Sequence, residues 1–465
     1  MYRKNAWNLT ETELKAVEDF SKAYMEFLDR GKTERECTQE AVSAAKAKGY
    51  LDLDEVIAKS ASLKPGDRVY KAHMGKSFMA FIIGNEPLEK GLAILGAHID
   101  SPRLDIKQNP VYEDENIAYL DTHYYGGIKK YQWLTIPLAI HGVFVKKDGS
   151  LVSVSIGEKE SDPVFYISDL LPHLAQEQMA KTAGKLVEGE ALNLIIGSKP
   201  EAEKDGESAK DAVKANVLAI LKQEYGVEEE DFVSAELEIV PAGKARDLGF
   251  DRSMILGYGH DDRVCAYPSM MALLNYEGTP DHTLCAILTD KEEIGSVGAT
   301  GMGSRYFINT VSELINCTTS YSELKVKRAM QNSRMLSSDV SAAFDPAFAS
   351  VFEKKNAGFL GMGVCFNKYT GRGGKSGASD ANAEFVALVR RIMDDHNVAY
   401  HTCEIGRVDA GGGGTIAYLC AQYGMNVLDC GVPVLSMHAP YEVVSKVDVY
   451  QTYRCYCAFL QDAYK

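Results

Sequence analysis

The sequence predicts an α/β protein: a mixed, mostly parallel sheet sandwiched by helices, interrupted by an inserted, mostly β domain. The first observation behind this is a set of five short apolar runs, each stopping on a His, Asp or Glu. Gly91-Leu92-Ala93-Ile94-Leu95-Gly96-Ala97 runs into His98-Ile99-Asp100, and Thr283–Thr289 into Asp290-Lys291-Glu292-Glu293. Arg334–Ser338 meets Asp339, Val432–Met437 meets His438, and Met254–Gly259 leads to His260-Asp261-Asp262. Such runs read as strands buried on both faces, the habit of parallel sheets flanked by helices. The second observation is a change of texture between about residues 108 and 240. There, alternating segments such as 136–145 and 151–156 flank a Lys-Lys-Asp-Gly turn, the mark of antiparallel strands. The predicted organisation is one α/β domain over 1–107 and 241–465, interrupted by a β-rich insertion over 108–240.

Along the chain, Leu14, Val17, Phe20, Tyr24, Phe27 and Leu28 fall at helical spacing, and Thr10 with Glu13 forms a capping box, so a helix is expected over 10–30. A second helix fits 33–48, ending at Gly49. Arg68–Gly84 alternates like a hairpin turning at Met74-Gly75-Lys76. Ser198–Asp211, rich in Lys, Glu and Ala with no apolar period, reads as a solvated loop. From Leu237 the alternation of buried strand and helix resumes, and no internal repeat is evident.

A chain of 465 residues is too long for one compact core, which agrees with two domains. With 46% apolar and 25% charged residues, it has the composition of a soluble globular protein. No apolar run approaches the roughly 18 residues of a membrane span. The start, Met1 to Trp7, lacks the apolar stretch of an export signal. Ten cysteines without such a signal are expected as reduced thiols in the cytoplasm, and Cys455 and Cys457 as two thiols on a helix. A formal charge of −15 and a pI near 5.2 exclude nucleic acid and anionic membranes as partners, since both demand a basic surface.

In open α/β sheets the active site lies beyond the carboxyl ends of the strands. His, Asp and Glu gathered there make a candidate metal site, the equipment of a metallohydrolase. Zinc takes His nitrogen and carboxylate oxygen, and catalytic zinc keeps a position open for water. Two metals sharing one carboxylate can hold a bridging hydroxide and polarise a carbonyl together. In His98-Ile99-Asp100, residues two apart in an extended segment point the same way, so Asp100 can accept the second ring N–H of His98. In Glu292-Glu293, adjacent side chains of an extended chain diverge: one carboxylate can bind metal while the other faces the reaction space. Gly295, Gly298, Gly301 and Gly303 behind them suit a loop of close backbone approach.

Three segments together carry a resemblance: Gly96-Ala97-His98-Ile99-Asp100-Ser101-Pro102-Arg103-Leu104, Asp290-Lys291-Glu292-Glu293-Ile294-Gly295-Ser296 and Leu435-Ser436-Met437-His438. In this order, with Glu224-Tyr225-Gly226-Val227 and Asp339 between them, the chain resembles the aspartyl aminopeptidase family, its bacterial members above all, over nearly its whole length. The resemblance implies a metallopeptidase domain holding two zinc ions per subunit. His98 and Glu293 would lie on opposite sides of the centre, Asp261 would bridge, and Asp339 and His438 would be the outer ligands. Asp100 would orient His98, and Glu292 would be the general base. The insertion would be a dimerisation domain sending His173 into a neighbouring subunit's active site, although a motif search alone would equally suggest a metal ligand. The assembly implied is a homo-oligomer, a tetrahedral dodecamer of dimers, acting on peptides with a free amino terminus.

The chain departs from the family around the bridging Asp. It has Gly259-His260-Asp261-Asp262-Arg263 where Arg-Leu-Asp-Asn is usual, which leaves Asp261 and Asp262 both eligible to bridge. His260 is expected on the outer edge of that loop. Gly371–Gly377 and Gly411–Gly414 also differ from eukaryotic members and are expected to shape the substrate pocket, so preference for an acidic residue stays open. Lys368 and Lys375 are candidates for contacting an acidic side chain. Cobalt or manganese would suit the same ligands as zinc. The competing readings are another dinuclear metal hydrolase, a carboxypeptidase or deacylase, and a non-catalytic scaffold on the same fold.

Overall fold

The computed structural model describes residues 5–202 and 210–465. The first four residues of the expected signal-free start, and residues 203–209 of the solvated loop expected over 198–211, lie outside the described residues. Among the described residues no helix is long and apolar enough to cross a membrane. The chain divides into two compact units, the larger made of Met1–Ser101, Ala245–Met437 and Glu442–Lys465, the smaller of Pro102–Lys244 and His438–Tyr441.

The larger unit is built on a nine-stranded sheet. Its order is Leu51–Asp52, Arg68–His73, Ser77–Ile82, Thr283–Thr289, Leu92–His98, Arg334–Ser338, Asn426–Gly431, Val364–Asn367 and Tyr400–Thr402. The four strands from Thr283 to Gly431 in that order run parallel to one another. Arg68–His73 and Ser77–Ile82 form the expected hairpin, with Met74 and Gly75 in the left-handed region at its turn. Residues alternate across a strand, and both faces are covered. Ala93, Leu95 and Ala97 join one apolar core with Ala286, Leu288, Val264 and Phe459. Leu92 and Ile94 join a second core with Ile287, Met335, Phe307 and Leu314. At about 1.5–3 kcal/mol for each large apolar side chain buried, these two cores hold the strand ends where they are.

The helix Glu11–Arg30 starts on the expected Thr10/Glu13 capping box and buries Val17, Tyr24, Phe27 and Leu28. A second capping box, Thr33 with Glu36, opens the helix Glu34–Ala47. Cys455 and Cys457 lie on the helix Lys446–Asp462, and all ten cysteines are free thiols.

Two of the five runs do not end on this sheet. Met254–Gly257 and Pro433–Leu435 belong to a separate five-stranded sheet with Arg246–Leu248, Glu442–Ser445 and Ser341–Ala342. The chain leaves the large sheet at Gly431, and Pro433–Leu435 then pairs parallel with Ser341–Ala342 and antiparallel with Glu442–Ser445. The apolar run Val432–Met437 therefore holds only the short strand Pro433–Leu435, just past the large-sheet strand Asn426–Gly431.

The smaller unit is a six-stranded, fully antiparallel sheet in the order Leu151–Ile156, Leu138–Val145, Ala235–Pro241, Arg103–Asp114, Ile117–Tyr125, Leu194–Gly197. It begins at Pro102 rather than 108 because Arg103–Asp114 is one unbroken strand. A helix, Ala212–Tyr225, interrupts the β texture and ends at Gly226 in the left-handed conformation.

A glycine locks the end of the Arg334–Ser338 strand. A β-carbon on Gly431 would lie 1.9 Å from the main-chain oxygen of Asp339, whose N–H donates to the Cys430 carbonyl at 2.9 Å. Gly431→Ala is therefore expected to destabilise the protein by about 1–3 kcal/mol, the usual cost of overpacking. Thermal melts of the two proteins check this, and an unchanged melting temperature would contradict it.

Candidate metal centre

The sheet register assembles the site. Thr289 pairs with His98, and Ser337 with Gly96, on either side of the central Leu92–His98 strand. Asp290 and Asp339, the residues that follow the flanking strands, therefore leave the sheet close to the level of His98. A third segment enters from Met254–Gly257 through Gly259, which takes a left-handed conformation (φ +74°) where a β-carbon would meet Arg263 and Ser101. It delivers Asp261 and Asp262, joined by a cis peptide bond, at the head of the helix that continues to Leu274.

Among the described residues, two groups of three side chains each hold ligand atoms all within 4.8 Å of one another: His98, Asp261 and Glu293, and His98, Asp262 and Asp339. His98 Nε2 lies 3.2 Å from Asp261 Oδ1, 3.9 Å from Asp339 Oδ1 and 4.0 Å from Glu292 Oε2. Its other ring nitrogen, Nδ1, donates to the Asp100 carbonyl at 3.0 Å, with the Asp100 carboxylate at 3.3 Å. Asp100 thus stands against this ring nitrogen, its main chain making the shorter contact. The Asp100 carboxylate also accepts the N–H of Glu292 and the N–H of Glu293, each at 3.1 Å. Asp261 is held from both ends of its backbone: its N–H donates to Glu442 at 3.0 Å and its carbonyl accepts from Ser101 Oγ at 2.6 Å.

Several residues sit differently from the sequence reading. Glu292 and Glu293 are in a 3-10 turn, Glu292–Ile294, rather than an extended segment, because Lys291 takes a left-handed conformation and turns the chain. Their carboxylates separate by the turn, not by strand alternation. His260 is fully buried rather than on the outer edge of its loop. Its Nδ1 meets the Tyr24 hydroxyl at 2.7 Å, and burial holds its pKa down to about 3, a neutral ring. Asp262, which sequence alone left as an alternative to Asp261, is also buried and accepts the His98 N–H at 3.3 Å. The doubled Asp was the only signal for it. Glu442 and Ser101 gave no sequence signal, since neither lies in a ligand pattern. Lys368 and Lys375 both contact Asp380, at 3.1 and 3.0 Å, on the surface.

Two expected residues belong to the smaller unit. His438 follows Pro433–Leu435 in a left-handed conformation, and its Nδ1 lies 2.8 Å from the Gly127 carbonyl. His173 lies in an exposed turn between exposed Leu171 and Leu174.

The electrostatics of the cluster call for a cation. Because Nδ1 of His98 donates, its Nε2 presents a lone pair to the Asp261 carboxylate, so a proton or a metal ion must lie between them. Burial opposes charge on His98, yet its contacts with Asp100, Asp261 and Asp339 outweigh that and hold its pKa well above the usual range. Burial pushes the Asp262 and Asp339 carboxyls well above the ordinary carboxylate range; His98 opposes this and neighbouring carboxylates add to it. A bound divalent cation inverts that logic and keeps such acids ionised.

The sequence profile of aminopeptidase I zinc metalloproteases, family M18, matches residues 27–460. The chain belongs to the M18 family of zinc aminopeptidases. A curated relative, the probable M18 family aminopeptidase 1 of Clostridium acetobutylicum, is 56% identical over 460 residues, covering 99% of this chain and 98% of that one. The solved M18 aminopeptidase of Thermotoga maritima is 44% identical and superposes with a TM-score of 0.93, covering 99% of this chain and all of that one. The S. cerevisiae mApe1 dodecamer shares the fold, with a TM-score of 0.76 at 21% identity over 96% of this chain and 97% of that one. This M18 aminopeptidase is thus a zinc-dependent hydrolase of peptide bonds, on the expected α/β architecture. The buried donors fit the metal: one imidazole nitrogen and several carboxylate oxygens are zinc ligands, and Asp262 Oδ1 is buried with no hydrogen-bond partner in the protein.

Substituting Asp100→Asn would replace an acceptor of two N–H groups by an amide that presents hydrogens. Loss of such a supporting contact typically costs about 10–100-fold in metal affinity. Zinc titration of the metal-stripped variant should show that loss with the fold retained. Wild-type affinity would contradict the role given to Asp100.

Proposed function

We propose that this M18 aminopeptidase releases the amino-terminal residue of peptides at a centre of two zinc ions, with Glu292 as general base. The observation that carries the reading is the placing of two adjacent glutamates. Glu293 falls within a ligand group, while Glu292 lies beside it, 4.0 Å from His98 Nε2 and 16% exposed. Asp261, 3.2 Å from His98 Nε2 and fixed at both its N–H and its carbonyl, would be the carboxylate shared by the two ions. His98 and Asp339 would hold one ion and Glu293 the other. On the strength of its motif, His438 would be a further zinc ligand. When bound, zinc supplies Lewis-acid polarisation of the scissile carbonyl and lowers the pKa of water. Cobalt or manganese would suit the same donors.

Glu292 takes a proton from the attacking water and returns it to the leaving amine, one carboxylate serving as base and then acid. Asp100 holds the Glu292 and Glu293 backbone, so that Glu292 does not have to be recruited during the reaction. His173 acts in a neighbouring subunit as a hydrogen-bond donor to the oxyanion. Its exposed turn, with Leu171 and Leu174 at 49% and 69% exposure, suits burial against a partner. The assembly is a homo-oligomer through the smaller unit, with the dodecamer of the yeast relative as its pattern. Ten free thiols favour the cytoplasm as its compartment.

Aminoacyl-p-nitroanilides, tested on zinc-loaded protein, report the reaction. Glu292→Gln should retain both zinc ions and lose about 10²–10⁴-fold in kcat, the usual worth of a general base. Metal content and turnover are read on the same sample, and turnover near wild type would sink the base assignment.

A further inference from the structure

One residue of the Asp290-Lys291-Glu292-Glu293 motif has no part in the chemistry above, yet its conformation is the least expected. Lys291 sits in the left-handed region at φ 64°, ψ 20°, which residues with a β-carbon rarely occupy. The turn made there sends the chain out of the Thr283–Thr289 strand and presents the N–H groups of Glu292 and Glu293 to Asp100. Something must hold it.

The side chain does so. Lys291 Nζ lies 2.9 Å from Asp290 Oδ2 and 3.1 Å from Thr300 Oγ1, and Thr300 Oγ1 donates to the same Asp290 oxygen at 2.5 Å. Asp290 is fully buried, so its charge needs a counter-ion, and three-quarters of the Lys291 side chain is covered. Thr300 is itself anchored, its carbonyl accepting from Ser77 Oγ at 2.7 Å on the neighbouring strand. The aliphatic stem of Lys291 passes Gly298, where a β-carbon would stand 3.3 Å from Cδ and Cε. The Lys291 carbonyl accepts from Ser296 N–H at 2.7 Å, closing the loop around the stem.

We propose that Lys291 is a positioning residue for the reaction: by tying Asp290 to Thr300, its ammonium holds the left-handed turn that aims Glu292 and Glu293. The inference rests on the roles given above to those two glutamates. Lys291 acts through the backbone that follows it.

The test uses zinc-loaded enzyme with Lys291→Met, which keeps the stem and loses the charge, Lys291→Arg, which keeps a cation, and Lys291→Gly, which permits the turn without an ammonium. Assayed at saturating zinc, Lys291→Met should show kcat about 10- to 100-fold lower, as for a small misplacement of a catalytic group, with KM within about threefold. Lys291→Arg should recover most of the loss. Added propylammonium, but not propanol, should raise kcat of Lys291→Gly saturably, which a purely structural role would not give. Should the Met variant prove insoluble, the Arg variant and the propylammonium titration decide. Wild-type kcat in Lys291→Met, or equal losses in Met and Arg at saturating zinc, would each overturn the proposal. Turnover surviving in Glu292→Gln sinks the base reading instead, so the two failures are told apart.

Discussion

The site depends on one buried carboxylate. Asp100 is fully shielded from solvent and accepts the N–H groups of two consecutive residues, Glu292 and Glu293, while standing against Nδ1 of His98. A hydrogen bond to a charged group is worth about 1.5–3 kcal/mol, and a buried donor left without its acceptor costs a comparable amount. Two segments distant in the sequence are thereby bound to one side chain: the end of the central strand, with its His98 imidazole, and the turn after its parallel neighbour. Removing the Asp100 carboxylate would free the loop that carries the proposed base and leave the ring only the Asp100 carbonyl.

Around that carboxylate the fold accumulates negative charge that it cannot hold alone. Asp100, Asp261, Asp262 and Asp290 are all buried, and Asp339 lies beside them. Lys291 compensates one of them directly. The others face His98 and one another, which explains why burial drives Asp262 and Asp339 toward protonation without a cation. The folded chain is therefore prepared for divalent metal: its ligands are brought together by packing on both faces of the sheet, and their repulsion is relieved by the ion.

Much of this was legible in the sequence. The buried strands announced themselves as uninterrupted apolar runs because both of their faces are covered, and parallel pairing of three of them placed His98, Asp290 and Asp339 at one edge. The capping box at Thr10 and the turn at Met74-Gly75 are local, so they too could be read directly. What could not be read depends on contacts between distant segments. His260 looks like a surface histidine until Tyr24, more than two hundred residues earlier, is packed against it. The left-handed turn at Lys291 is invisible because lysine gives no turn signal; it is stabilised by Thr300 and a buried Asp, not by intrinsic preference. Likewise the run ending at His438 gives no sign that its strand, Pro433–Leu435, belongs to the smaller five-stranded sheet, since hydropathy is blind to which partner a short strand chooses.

The central claim is that these side chains form one centre for two metal ions, shared through Asp261. Anomalous diffraction at the zinc edge, on crystals of the zinc-loaded protein, tests it most directly. The account predicts two peaks a few ångströms apart, as in two-metal sites of about 3.5–4 Å. One should touch His98 and Asp339, the other Glu293, with an Asp261 oxygen on each. A single peak, or a pair bridged by another residue with Asp261 turned away, would contradict it.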